Sequence, residues 1–486
     1  MCSDSLQGTV WDQLRQRDLH AFARFLPLAS LRRAADMAGL AFGKGPLHLG
    51  NLVWLALASA LHGSKSFADV LVLVLKLLRD SPDWSTSELA AMQRLGQRQA
   101  RGQQRHKHDP RGQDPTCLSE EAFVQARRKM PWSFWAALLV LLTDTFEAQH
   151  GSRARWKHFR LLALDGTTVA LENWPRLTKY FGTAGNGRGR ARTQARLVML
   201  QYPLVRLPWR YELTPLAEGE RTVASRLLAG LRADDLLLMD RGFWSYGAFW
   251  QIQDRQAFFA IRKVAQVKLR RIRRLDREDW LVCWQPRDQK KKWKALPPSM
   301  VLRYLPYQLP GFRPSGLVTN VLDPEVVSRE EWLRLATVDE AGRVLEPGLY
   351  HRRWEIETTF RELKVTQGME GGLRCRTPEG IRYEVAGHVV LYLLVRWLIV
   401  EAAEQAGLDD PLRLSFKGAL EELADMRASL VLADAAHVQR VLLPRLLARI
   451  AGHQVPYRPG RHFARPRDTK AKYKGKGRHQ KTSKVA

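Results

Sequence analysis

Cysteine is scarce in this chain, and acidic residues are too few to balance the basic ones. The four cysteines (Cys2, Cys117, Cys283, Cys375) are scattered, with no CxxC pair and no histidine-rich spacing nearby. That pattern excludes a zinc finger or a disulfide framework and leads one to expect reduced thiols in a cytoplasm. Long hydrophobic runs are also missing. The longest, Val70–Leu78 and Val389–Val400, carry Lys76 and Arg396, so neither is expected to span a bilayer. No charged segment followed by an apolar one opens the chain, so secretion is not expected. No internal repeat is evident. Against 49 Asp and Glu stand 78 Lys and Arg, a net charge of +29 with a pI near 10.4. A field of that sign attracts polyanions, and without them the chain repels itself. At 486 residues there is room for two or three domains with substantial cores.

Hydrophobic patterning changes along the chain. Residues 1–155 read as mostly helical: Leu52–Leu61 and Phe67–Leu78 are strongly apolar, and Leu118–Leu142 carries a helix start at Ser119 with acids in its first turn. Gly96–Asp114 is polar and basic, a solvated linker or a loop that touches a polyanion. From about 158 the pattern becomes strand-like. Phe159–Val169, Arg196–Arg206 and Trp209–Pro215 read as strands, the last two joined by a turn at Leu207-Pro208. A helix at Arg221–Leu231, a strand at Leu236–Met239, a helix at Ser245–Arg255 and a strand at Ala257–Val264 follow. Lys268 to Gly316 is basic, aromatic and proline-rich, and reads as an inserted β-rich unit, with Trp280, Trp284 and Trp293 interleaved among arginines and lysines. Leu317–Asp323 returns to strand character, and Ile381–Gln405 and Arg413–Ala451 read as helices. From Arg458 eleven Lys and Arg face one Asp (Asp468), the composition of a disordered basic arm. The glycines at 185, 187 and 189 form no nucleotide-binding turn, since no helix follows them.

Residues 350–364 (YHRRWEIETTFRELK) carry the densest chemistry. At about 100° per residue, with Tyr350 at zero, Arg353 falls near 300°, Lys364 near 320°, Glu357 near 340° and Arg361 near 20°. Glu355 and Glu362 fall on the opposite side, near 140° and 120°. One carboxylate thus sits inside a stripe of cations and a phenol, a pattern suited to a metal-bound phosphodiester. The alternative is an amphipathic helix with an ordinary Arg353–Glu357 link. Asp165 and Asp240 each end a predicted strand and are followed closely by glycine; either alone could be a plain turn. With Glu357 they give three acids in order, spaced by 75 and 117 residues. Two-metal phosphoryl transfer needs oxygen ligands of this kind, converging from different elements.

The spacing Y-x2-R-x3-E-x6-K resembles the YREK signature of bacterial insertion-sequence DDE transposases of family four. LDGTTV (164–169), MDRGFWS (239–245) and the tail PGRHFARPR (459–467) resemble further motifs of that family, so the likeness covers roughly 116–467 in ordered pieces. It implies an α/β fold with a ribonuclease-H-like mixed-sheet catalytic domain. Its parts would be a helical DNA-binding domain (1–155), a catalytic core in two parts (156–267 and 317–405) around a basic β-rich insertion (268–316), a helical region available for dimerisation (406–457) and a basic tail (458–486). It also implies Asp165, Asp240 and Glu357 as the catalytic, metal-binding triad for two Mg2+ ions, with Mn2+ able to substitute. Tyr350, Arg353 and Lys364 match positions that contact DNA phosphates, and Arg241 and Arg361 are further candidates. In relatives a Trp of the insertion stacks on a flipped base during hairpin formation; here Trp284, Trp293, Phe312 and Trp332 compete for that role. The implied partners are double-stranded DNA (transposon ends and target) and a second copy of the chain, without a membrane, at the nucleoid of a bacterial cytoplasm. A nuclease that cuts without joining, or a DNA-binding relative that has lost catalysis, stays open as an alternative.

Overall fold

The computed structural model of the chain describes residues 20–42, 49–61, 120–184, 191–287, 294–308, 314–334, 337–338, 344–345, 348–426, 429–430, 433 and 435–456. Several expectations fall outside these residues: the run at 67–78, the basic stretch 96–114, the helix start at Ser119, the lysines 290–292, Trp293, Phe312 and the basic tail.

Strand β1 (Phe159–Ala170) is the axis of the fold. Its first six residues are buried on both faces, as in a strand covered from both sides. It pairs antiparallel with β2 (Arg192–Tyr202), which pairs antiparallel with β3 (Leu207–Pro215). On its other side β1 pairs in parallel with β4 (Asp235–Met239), and β4 in parallel with β5 (Phe258–Arg262). The order is therefore β3-β2-β1-β4-β5. The turn between β2 and β3 lies at 203–206, not at the expected Leu207-Pro208, because Leu207 and Pro208 already pair with Tyr202 and Gln201. Strand β2 also begins at Arg192, earlier than the apolar pattern suggested.

In the region expected as an inserted unit, the described residues form strands that extend the same sheet. Strands β6 (Arg270–Asp276), β7 (Asp279–Trp284) and β8 (Met300–Tyr307) form an antiparallel meander. Strand β9 (Ser315–Thr319) pairs with both β8 and β5 and so joins the meander to the core. With two short strands, Arg155–Trp156 and Thr183–Ala184, this makes one mixed sheet of eleven strands.

Helices cover the sheet. The expected helix 118–142 is two helices, α3 (Glu120–Arg128) and α4 (Trp132–His150), preceded by α1 (Leu28–Met37) and α2 (Leu49–Leu61). Pro131 is the reason for the break, since it lacks the amide hydrogen that a continuing helix would use. Helices α5 (Glu220–Leu228) and α6 (Tyr246–Asp254) connect β3 to β4 and β4 to β5. The longest helix, α7 (Pro378–Gln405), starts with Thr377 capping the Gly380 amide and proline in its first turn. By length and composition it could cross a membrane, the one such helix among the described residues, but it is buried within the protein as a core helix is. Helix α2 packs against it so closely that a Cβ on Gly387 would come within 2.8 Å of the Ala56 carbonyl oxygen. Beyond α7 the expected helix 413–451 is interrupted, with helical pieces at Phe416–Asp425 and, as α8, Leu443–Gly452.

The connection to the glutamate helix is longer than a plain turn and is folded. A short helix, Arg329–Leu333, opens on a capping box between Ser328 and Glu331, and a two-stranded hairpin (Thr337–Val338 with Val344–Leu345) follows. The Gly348 amide donates to the Arg334 carbonyl at 2.7 Å and closes the excursion. There is no room for a side chain at Gly348, because a Cβ would meet backbone atoms of Trp332 and Arg334 at 2.7 Å. The helix itself is composite: 3-10 over Leu349–Trp354, α over Glu355–Arg361 and π over Glu362–Thr366.

Candidate active site

The register of the parallel strands builds one side of the site. Leu164 pairs with Met239, and Met239 with Ile261. The next residue on each strand is Asp165, Asp240 and Arg262, so two acids and a cation stand in one row across β1, β4 and β5. Adjacent strands lie about 4.8 Å apart, which brings these side chains within reach of one another. Asp165 does not end its strand, as the sequence suggested; β1 runs on to Ala170 against β2, and only its parallel pairing stops there. The Gly166 amide donates to Asp165 Oδ1 at 2.8 Å. Asp240 follows β4 directly, and its Oδ2 caps the short 3-10 turn Arg241–Phe243. The Arg262 guanidinium lies 3.9 Å from Asp240. Sequence reading missed Arg262; its signal was being the last residue of the strand after Asp240, legible only once the strands are aligned.

The glutamate helix builds the other side. Arg353, nearly buried, lies 3.7 Å from Asp165 and 3.3 Å from Glu357, and its guanidinium stacks 4.6 Å from the Trp354 ring centroid. Lys364 donates to the Thr168 carbonyl at 2.8 Å and lies 3.1 Å from Glu370, beside the far half of β1. Arg361 and Arg241 are exposed. Tyr350 is placed differently from a free phosphate contact. Its hydroxyl donates to the Met239 carbonyl at 3.0 Å and accepts the Arg262 amide at 3.1 Å, so it fastens the helix start to the ends of β4 and β5. Burial pushes its phenol well above the ordinary tyrosine range.

Charge at the site is unbalanced. Asp165 is raised to about 6: burial is the main cause, the Gly166 amide and Arg353 pull against it, and the nearby charges of Glu357 and Asp240 add to the rise. Asp165 therefore lies within electrostatic reach of both other acids. Even so, among the described residues no three acidic, histidine or cysteine side chains are gathered tightly enough to hold a metal ion as they stand. Arg353 lies between Asp165 and Glu357 and is the cation those two share. The donor set fits a hard divalent ion: hard carboxylate oxygens from a strand, a strand end and a helix, one of them on a carboxyl that burial already keeps from ionising readily.

Glu355 and Glu362, placed opposite the reactive stripe by the helical angles, are held at the back. Arg206 donates to Glu355 at 2.7 Å and to Glu362 at 3.1 Å. Glu362 also accepts from Tyr392 at 2.6 Å and pairs with Arg396, both buried in α7. Burial alone would raise Glu362, but Arg396 and Arg206 hold it below the usual carboxylate range.

Of the aromatic candidates for base stacking, Trp332 is fully buried and Trp284 nearly so. Trp284 packs against Trp244, Tyr246 and Phe249. Both are core residues. A cleft of about 570 Å³, lined by Arg221, Trp244, Lys268 and Arg287 among others, lies next to the Arg241–Phe243 turn.

Residues 156–394 match the transposase DDE domain family. The transposase InsG of insertion sequence element IS4 from Escherichia coli (strain K12) is 27% identical over 317 residues, covering 62% of this chain and 65% of that protein. The match thus spans about two thirds of that relative. Among solved structures, the piggyBac transposase synaptic complex with hairpin DNA matches over 91% of this chain and 86% of that one. It is 10% identical with a TM-score of 0.36, too low to establish a shared fold. The family match and the InsG similarity support a relationship of the chain to the DDE transposases of bacterial insertion sequences, in the group of IS4.

Proposed function

We propose that this protein is a cut-and-paste DNA transposase, which binds the inverted-repeat ends of its own insertion sequence, cleaves them and joins the 3′-hydroxyl ends to target DNA. The observation that carries this reading is the row formed by Asp165, Asp240 and Arg262 facing Glu357, Arg353 and Lys364 on a helix. The strand order β3-β2-β1-β4-β5, three antiparallel strands followed by two parallel ones, supports a ribonuclease-H-like core beneath it.

Asp165, Asp240 and Glu357 would hold two Mg2+ ions, or Mn2+ in their place. When bound, those ions supply Lewis acidity to the phosphodiester and lower the pKa of the attacking water or hydroxyl. The chain's own part is positional. Arg353 and Lys364 hold the scissile phosphate in line, Arg262 and Arg241 meet the phosphates on the strand side, and Arg361 extends the cationic face outward. Tyr350 contributes by setting where the helix begins. The helices of 1–155 would bind the transposon ends, and the region 406–457 would pair two copies in a synaptic homodimer at the bacterial nucleoid.

The test is a strand-transfer assay with labelled pre-cut ends, a supercoiled target plasmid and Mg2+. Joined products support the transposase. Cleavage of uncut ends without any joining would favour a nuclease that shares the triad, and end binding without either would favour a decayed relative.

A further inference from the structure

The reactive face of the glutamate helix has an explanation in the family chemistry, but the opposite face carries a buried charge cluster that phosphoryl transfer does not use. Glu362 lies in a pocket of α7, accepting from Tyr392 and paired with Arg396, which itself donates to the Tyr392 hydroxyl at 3.1 Å. Arg206 adds a third cationic contact from outside α7. It sits on the last position of the turn 203–206 with φ of 52°, a conformation that a non-glycine residue adopts at a cost. Glycine would fill that position without strain. What arginine adds is its planar fork, which reaches Glu355 and Glu362 at once, two turns apart on the helix. Glu357 stands between them in sequence and points to the other side.

We propose that Arg206 is a positioning residue for Glu357: together with the Glu362–Arg396–Tyr392 cluster it fixes the rotation of the glutamate helix and hence where the Glu357 carboxylate stands relative to Asp165 and Asp240. The composite winding of this segment makes such a fastening necessary. A run that passes from 3-10 to α to π within eighteen residues has no single preferred rotation of its own, because each form turns by a different angle per residue. Tyr350 holds the front of the segment at β4, and Arg206 and Arg396 hold its back. Arg206 touches neither substrate nor acid triad, and its effect passes through the helix. The inference rests on the transposase reading for its effect on rate, but not for its effect on the helix.

Arg206→Gly is the discriminating variant, since it relieves the strained backbone while removing the fork. Three quantities are measured on the full chain. The first is amide hydrogen exchange of 355–366 without DNA or metal, expected to rise about tenfold. The second is cleavage of a labelled transposon end, expected to fall by roughly 10²-fold, the consequence of a displacement of about 1 Å at a reacting group. The third is the Mg2+ concentration for half-maximal rate, expected to rise, while end binding and melting temperature stay near wild type. Arg206→Lys, which keeps the charge but not the fork, should fall between. Unchanged exchange overturns the proposal outright; raised exchange with wild-type rate and Mg2+ dependence overturns its link to Glu357. A wild-type protein that cleaves no end counts against the transposase reading instead, and exchange then decides the fastening alone.

Discussion

Arg262 and Asp240 leave neighbouring parallel strands at the same level, with the guanidinium 3.9 Å from the carboxylate. This places a cation in the row of acids without any motif announcing it. A charge-assisted hydrogen bond from Arg262 to a DNA phosphate would contribute about 1.5–3 kcal/mol, so Arg262→Ala is expected to slow cleavage of a labelled end by roughly 10- to 100-fold. Arg262→Lys should recover part of the loss. Wild-type cleavage by Arg262→Ala would remove Arg262 from the site.

Glu357→Gln keeps the shape of the side chain and removes a hard anionic ligand. Cleavage is expected to collapse by roughly 10³-fold or more, the scale of several kcal/mol of charge stabilisation. End binding by gel shift should persist or tighten, because a negative charge near phosphates has gone. Arg353→Ala and Lys364→Ala remove cations instead, so both binding and rate should fall and Mn2+ should not restore them. Equal cleavage by wild type and Glu357→Gln would sink the assignment.

What the sequence made legible follows from local physics. Strand and helix runs such as 159–169, 236–239 and 381–405 were readable because they are nearly continuous apolar runs whose length and flanking residues separate strand from helix. The angular stripe on 350–364 put Glu355 and Glu362 opposite Glu357, and their partner Arg206 lies on that opposite side. What was hidden depends on pairing across the chain. The alignment of Arg262 with Asp240, the joining of β6–β8 to the core through β9 and the fastening of Tyr350 to Met239 are all long-range. The break at Pro131 was local and readable, but helix-forming residues on both sides of it concealed the stop.

The excess of basic residues predicts a steep salt dependence of end binding, about −0.9 in the log–log slope for each phosphate neutralised. Deleting 458–486, with its eleven Lys and Arg, should flatten that slope while metal-dependent cleavage persists. Titrations between about 50 and 200 mM salt measure it directly. A truncated chain with the wild-type slope would show that the arm does not touch DNA.

Asp165 links the site to stability. Burial, with Glu357 and Asp240 nearby, raises its carboxyl to about 6, above the value of about 3.9 for an unfolded chain. Between those values the folded state binds more protons than the unfolded one. The stability from the protonated form is therefore complete below about pH 4 and is lost as pH rises through about 6. At neutral pH, ionised Asp165 costs at most about 2–3 kcal/mol in metal-free protein. Asp165→Asn, with the same shape and no charge, should melt several degrees higher than wild type at pH 7.5 in EDTA, and the gap should close towards pH 4. Adding Mg2+ should reverse the ranking. An ion that binds only the folded state stabilises it by mass action, and the wild-type carboxylate offers a ligand that the amide does not. Thermal melts of both proteins at two pH values, with and without Mg2+, check each step. If Asp165→Asn melts below wild type in EDTA, the carboxyl is not held under charge strain in the folded protein.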